Sequence, residues 1–453
     1  MINRKNPPVL PSLYDLKTPI HSTFYLKNGI AVHLVERNQL PVLQLRFLLH
    51  KGAAEDPVNK RGTAFLTGKL IDESAENLNS LEIDRIIQKL GASFDSGVNT
   101  IDQTFYLSSL KENLDEFLSV ISKIFLKPNF RDEDFNREKA KHLDSLVHLQ
   151  DDPRNLGFLV SQKYLFKETP FENSSMGTLK TVQNIENSDI KEFYLQNYIA
   201  QNLEIIAVGN VNSQELTEIL EKHFGDFPSG SSSSREEIVF QVPQNQILLI
   251  NKKDAPQSVI NIVNISDKIN SPHFYAMKVL NTIFGGQFSS RLNHNLREEK
   301  GLTYGIQSEF AQSLNMGNFS IRTSVDTANT ILALKEIIRE INLIREDISD
   351  EELNFAKSFL IKNSSIYDDT ISYIISNIQF LVRNKLERDY FVKLSENIGK
   401  VTKSDVLEAA KKNILVDNHI IVVVGDAEKL YDELISEFPK YEIIKMEIAD
   451  LDI

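Results

Sequence analysis

Apolar residues recur along this chain with two different periods, and each change of period marks a new element. Alternation runs through Phe24-Tyr25-Leu26 and Ile30 to Glu36 on either side of Lys27-Asn28-Gly29, which predicts a β-hairpin over 23–36, and a third strand follows over 42–50. Helical spacing then takes over at 62–72 and 81–90, two strands fill 93–107, and helices return over Leu114–Leu126 and 134–149. The last of these stops before Asp151-Asp152-Pro153. A mostly helical section reaches Tyr198, the nearly unbroken apolar run LEIIAVG reads as a buried strand, and Ser213–Phe224 reads as a closing helix. Strands set before and between long helices predict an α+β fold, a mixed or antiparallel sheet with helices on one face.

The punctuation divides this pattern in two. A Pro-rich stretch (NPPVLPS) makes 1–22 an N-terminal arm, and the Ser-Gly run that opens 229–246 makes that segment a flexible, extended linker. The halves on either side, 23–228 and 247–453, repeat one another. Pro41 and Pro256 precede similar apolar runs, and IIAVG ending at Gly209 matches IVVVG ending at Gly425, both at an offset of about 215 residues. Asp132-Glu133-Asp134 likewise matches Asp350-Glu351-Glu352, where Ser349 and Glu352 have capping-box spacing. The expected architecture is a duplication of two homologous α+β halves, clamshell-like.

Composition narrows the chemistry. The 453 residues are 41% hydrophobic with a net charge of -13, which argues against a nucleic-acid partner. No apolar run is long enough for a membrane span, and no charged head with an apolar core opens the chain. The location is left open, periplasmic if a signal peptide has been removed and cytoplasmic otherwise. Cysteine is absent, which removes disulfides, thiolate metal sites and a cysteine nucleophile together. No two of the nine histidines stand three or four apart, the spacing of a helical metal pair, and no G-x-S-x-G or phosphate-binding loop appears.

The chemically richest stretch is GGQFSSRLNHNLREEKGLTYG, from Gly285 to Gly305. Phe288, Leu292 and Leu296 fall at helical spacing and Gly301 reads as a C-terminal cap. This places Arg297 on the last turn and Tyr304 just across it, two donors able to reach one spot. Arg291, a turn and a half earlier, has no such placement.

The stretch resembles the arginine and tyrosine pair of the pitrilysin-type zinc peptidases, the inverzincins, in the branch similar to the mitochondrial processing peptidase. In that family the pair lies in the second half of a duplicated chain and touches the peptide being cut, so the resemblance assigns Arg297 and Tyr304 to substrate backbone and oxyanion. Active members carry an H-x-x-E-H helix and a distant glutamate in the first half. Here the matching positions hold Phe65, Gly68 and Lys69, and the third ligand position falls on Ser145. Asp144, about 100° round the helix, is no substitute. The resemblance therefore implies a chain inactive alone, with no metal or cofactor of its own. It is expected to form a heterodimer with an H-x-x-E-H-bearing subunit that supplies zinc, while this chain supplies Arg297 and Tyr304 to a peptide substrate. The alternative is an inert structural subunit similar to the core proteins of a cytochrome bc complex.

Overall fold

The computed structural model describes residues 20–232, 235, 237–364 and 370–453. Most of the proposed arm, residues 1–19, and Ser233, Ser234 and Glu236 of the linker lie outside the described residues. The strands are β1 (Ser22–Tyr25), β2 (Ala31–Glu36), β3 (Val42–Leu49), the short pair β4 (Ser74–Ala75) and β5 (Leu78–Asn79), β6 (Ser93–Val98), β7 (Gln103–Leu110) and β8 (Leu203–Gly209). The second half adds β9 (Gln246–Asn251), β10 (Gln257–Ile265), β11 (Ile306–Gln312), β12 (Gly317–Asp326), β13 (Ile420–Gly425) and β14 (Glu442–Glu447).

Two six-stranded mixed sheets result, ordered β1-β2-β8-β3-β7-β6 and β14-β9-β13-β10-β12-β11. Five strands correspond one for one: β2, β8, β3, β7 and β6 repeat as β9, β13, β10, β12 and β11, including the parallel pairs β2/β8 and β9/β13. Only the sixth strand differs. In the first sheet it is a hairpin partner, antiparallel to β2, and in the second it comes from the end of the chain and runs parallel to β9.

Each half covers one face of its sheet with its own helices, as the sequence predicts. In the first half Leu114–Leu126 and Ser213–Phe224 bury Phe117, Ile121, Phe125, Leu216 and Phe224 against Leu45, Phe47 and Ile205. In the second half Phe274–Phe284 and Thr330–Ile344 do the same against Ile260 and Ile262.

The opposite faces are covered by an exchange. Asp152 caps and Pro153 opens the helix Pro153–Leu165, whose Leu156 and Val160 pack on Leu248, Val259, Val422 and Val424 of the other half's sheet. In return, Ile374, Ile375 and Ile378 of Ile371–Arg383 pack on Val35, Ile206 and Val208 of the first. Arg383 ends on Asp102, which is fully buried. Nη2 donates to Oδ1 at 2.7 Å, while Nε lies 2.7 Å from Oδ2 off the hydrogen-bonding line. Two residues of the connection also have tertiary partners: Arg235 pairs with Glu55 and donates to the carbonyls of His50 and Ile101, and the Phe240 ring packs at a tilt against Phe166 and Phe171.

Candidate functional site

The Arg297 element is a single helical turn, Arg291–Asn293, that widens into a π-helix over His294–Glu299. Leu292 and Leu296 are fully buried, as their spacing predicts. Gly301 has φ +62 and turns the chain, with Leu302 N–H donating to the Leu296 carbonyl at 2.8 Å. Phe288 departs from expectation. It is 66% exposed, and its ring carries the Arg297 guanidinium 3.9 Å from the ring centroid. Arg297 Nη1 lies 3.4 Å from Glu298 but is a buried donor without a hydrogen-bond acceptor.

Tyr304 sits on a fastened loop. On one side Asn293 exchanges hydrogen bonds with Ile306 through both N–H and C=O. On the other, Thr303 donates to the Ser324 carbonyl and Thr323 donates to both Thr303 and the Gly305 carbonyl. Between these anchors the Tyr304 side chain is 95% exposed, and no hydrogen bond within the chain holds its hydroxyl among the described residues. Arg291 instead makes a bidentate pair with Glu352 (2.5 and 2.7 Å), tying the turn to the helix Asp350–Asn363. Burial raises the Glu352 carboxyl, but this pair and the Ser349 N–H outweigh it and hold the group down to about 2.

Arg297 and Tyr304 line one cleft of about 610 Å³, together with Phe288, Asn293, Arg322 and, from the first half, Arg154 and Phe158. The cleft exists because the exchanged helix covers β10 and β13 but leaves Arg322 and Gln307, on the same face of β12 and β11, exposed. The register places Asn261, Arg322 and Gln307 in one row across that face, and Val259 and Ser324 in the next. Apolar residues thus stop where the helix stops. The contribution of Arg154 and Phe158 has no signal in the second half's sequence; the Asp152-Pro153 start marks the helix but not its destination.

The positions that the resemblance matches to the zinc motif lie in the first half. Phe65, Gly68 and Lys69 are on Thr63–Leu70, and Ser145 is on Asp132–Asp151. Phe65 stacks on His142 (centroids 4.5 Å apart, 28° between planes), and His142 Nε2 is 2.8 Å from the Met176 carbonyl. Burial, with the Lys69 charge adding to it, pushes the His142 pKa down. Lys69 and Ser145 are exposed. A phenyl ring, an ammonium and a hydroxyl do not make a zinc donor set. Among the described residues no group of three or more His, Cys, Asp or Glu side chains is arranged to hold a metal ion, and no helix is long and apolar enough to cross a membrane.

Comparison with known proteins bears on both halves. Residues 32–179 match the family model described as Insulinase (Peptidase family M16), and residues 184–360 match Peptidase M16 inactive domain. The non-peptidase homolog YmxG of Helicobacter pylori is 23% identical over 87% of this chain and 91% of its own length. The zinc protease PqqE of the same bacterium is 21% identical over 80% of this chain and 81% of its own. Among solved structures, a peptidase M16 inactive domain from Pseudomonas fluorescens superposes with TM-score 0.84 at 24% identity, covering 90% of this chain and 98% of the other. A chain of complex III2 from Candida albicans gives 0.77 at 17%, covering 92% and 99%. With both domain models of one family matched in order along a duplicated fold, this chain belongs to the peptidase M16 family.

Proposed function

We propose that this chain is the non-catalytic member of a two-chain zinc peptidase, and that it lends Arg297 and Tyr304 to a peptide bound at a zinc site on an H-x-x-E-H-bearing partner. The observation that carries this reading is an asymmetry between two places. Phe65, Gly68, Lys69 and Ser145 offer no zinc donor set, whereas Arg297 and Tyr304 are presented at one cleft, the first with a buried unused donor and the second projecting from an anchored loop. A purely structural role gives no reason to hold an exposed tyrosine so firmly. In the composite site the guanidinium and the phenol would donate to the substrate carbonyl as negative charge gathers on its oxygen, with zinc supplied by the partner acting as the Lewis acid. Helicobacter pylori, in which a non-peptidase homolog and a zinc protease both resemble this chain, shows that relatives of the two kinds coexist in one organism.

The test is turnover by the assembled complex. Arg297→Ala and Tyr304→Phe are each expected to lower it about 100- to 1000-fold, the usual effect of losing one preorganised donor. Arg297→Lys also fails, because an ammonium lacks the planar fork. Assembly and zinc content stay normal. Arg85, exposed on Ser80–Lys89, is the appropriate control; Arg291 is not, since its pair with Glu352 is structural. Turnover within about twofold of wild type for both variants, far below that donor effect, would sink the reading in favour of an inert structural subunit. The likeness to a chain of complex III2 is what favours that second reading.

A further inference from the structure

The cleft at Arg297 and Tyr304 continues past them. Beyond Phe158, Asn261 and Arg322, which line both spaces, the same face of β11 and β12 opens into a second cavity of about 470 Å³. The two differ in character. The first brings Arg154, Arg297 and Arg322 together, whereas the second adds Ile101, Leu165, Phe166, Phe171, Val263 and Met316 among its polar side chains and exposes mostly apolar surface. The partition is a contact between the halves, with the Arg322 guanidinium 5.6 Å from the Phe158 ring centroid. Phe158 is 45% exposed, although Leu156, Val160 and Leu165 of the same helix are buried in the exchange.

β11 joins the two spaces. Ile306 and Gln307 border the polar cleft, and Ala311 and Gln312 border the apolar cavity. At about 3.3 Å per residue, an extended peptide running along this strand passes from one to the other in roughly five or six residues. β11 is the last strand of its sheet, but its outer edge is taken at the start, where Asn293 holds both backbone groups of Ile306 and Gly285 accepts from the Ser308 N–H, so the path for a peptide lies over the face of the strand.

We propose that the apolar cavity is a specificity pocket that takes a bulky apolar side chain of the peptide held at Arg297 and Tyr304, five or six residues from the bond that is cut. The inference rests on the peptide-binding reading of the cleft and adds a substrate class to it: peptides with Phe, Leu or a similar residue at that fixed distance. The cavity volume lies in the range of binding pockets, and a wall whose exposed surface is mostly apolar, with polar side chains such as Gln162, Asn261 and Asn315 set into it, suits one large side chain on a polar backbone. Burying such a side chain gives a preference of roughly ten- to a hundredfold over alanine.

The isolated full-length chain provides the first test, with N-acetyl-phenylalanine amide and N-acetyl-alanine amide as probes followed by ligand-observed NMR. The phenylalanine probe is expected to bind saturably and at least about tenfold more tightly than the alanine probe. Ala311→Phe narrows the pocket from the second half and Ser174→Phe from the first. Each is expected to weaken phenylalanine binding at least about tenfold. No saturable binding by wild type, or binding retained within about twofold by both variants, overturns the proposal.

The assembled complex provides the second test, with a peptide mixture. Wild type should enrich bulky apolar residues at one offset of five or six from the cut, and Ala311→Phe should flatten that position alone; a flat wild-type profile there overturns the proposal. Failure of the composite-site reading looks different. It shows as turnover indifferent to Arg297→Ala, whereas failure of the pocket shows in probe affinity, which needs neither zinc nor the partner.

Discussion

Gly68 carries a steric argument about the lost metal site. A Cβ at this position meets Val98 Cγ2 at 2.8 Å and Gln103 Oε1 at 3.3 Å, so the helix has settled onto β6 and β7 more closely than any catalytic glutamate allows. Restoring the ligands therefore separates into two steps. Phe65→His, Lys69→His and Ser145→Glu together are expected to give about one zinc per chain, where the wild-type protein carries well under one. Adding Gly68→Glu removes a helix glycine, worth about 1 kcal/mol, but overpacks the contact at a cost of about 1–3 kcal/mol. The quadruple variant should thus be less stable in denaturant than the triple, and Val98→Ala should recover the difference. A well-folded triple variant without zinc would mean that these residues do not occupy the motif positions.

His419 is a residue-scale feature with a consequence in pH. Burial holds its imidazole down to about 4, and Nε2 lies 2.9 Å from the Tyr441 hydroxyl. The unfolded chain takes up this proton near pH 6.5 while the folded chain refuses it until pH falls to about 4, so the stability is whole above 6.5 and drains away between the two. The loss expected from this group is roughly 3 kcal/mol. Urea midpoints at pH 7 and pH 4.5 measure it, and the fall should be smaller in His419→Gln than in wild type. Equal falls would remove His419 from the account.

Among the elements, the exchanged helix Pro153–Leu165 makes the sharpest prediction. Gly157 faces the other half's sheet so closely that a Cβ would stand 3.0 Å from Asn261 Nδ2 and 3.5 Å from Val424 Cγ2. Gly157→Leu is expected to destabilise by about 1–3 kcal/mol through overpacking. Gly399 near the end of Tyr390–Lys400 meets nothing within 4 Å of a new Cβ, and Gly399→Ala is expected to stabilise by up to about 1 kcal/mol. Denaturant midpoints of the two variants should move in opposite directions.

The elements themselves were largely legible. The Lys27-Asn28-Gly29 turn, the apolar run 203–209 and the Ser349/Glu352 box all stand where the sequence places them. Periodicity encodes which side of a helix is buried, but it says nothing of which sheet buries it, so the exchange left no trace. The same limit explains Phe288, whose spacing with Leu292 and Leu296 looked like one face. The helix starts only at Arg291, so Phe288 lies in the turn before it and stands outside, under the guanidinium. That Arg297 and Tyr304 share a cleft was readable from their spacing across the turn; the first-half residues that wall it were not.

At the scale of the whole molecule, the linker separates two sequences rather than two self-sufficient bodies. Cutting within 229–246 leaves each piece with an apolar sheet face stripped of its cover: Val35, Ile206 and Val208 on one, and Leu248, Val259, Val422 and Val424 on the other. It also leaves Asp102 buried without Arg383, and an unpaired buried charge is strongly destabilising. Fragments 1–232 and 233–453 are expected to aggregate or bind a hydrophobic dye when made alone, and to form a soluble 1:1 complex when made together. A monomeric, cooperatively unfolding fragment 1–232 would show that the exchange is dispensable.

The exchange also sets a clock on synthesis. The first sheet has all six strands once Gly209 has been made, yet the helix that covers its second face ends at Arg383. At about 5–20 residues per second, the ribosome takes roughly 9–35 s to cover that distance. Throughout that interval a nascent chain whose first sheet has formed carries it with one greasy side uncovered. The protein is thus obliged to pass through a sticky, half-clothed intermediate every time it is made, and its yield in a cell is set by how well that wait is chaperoned.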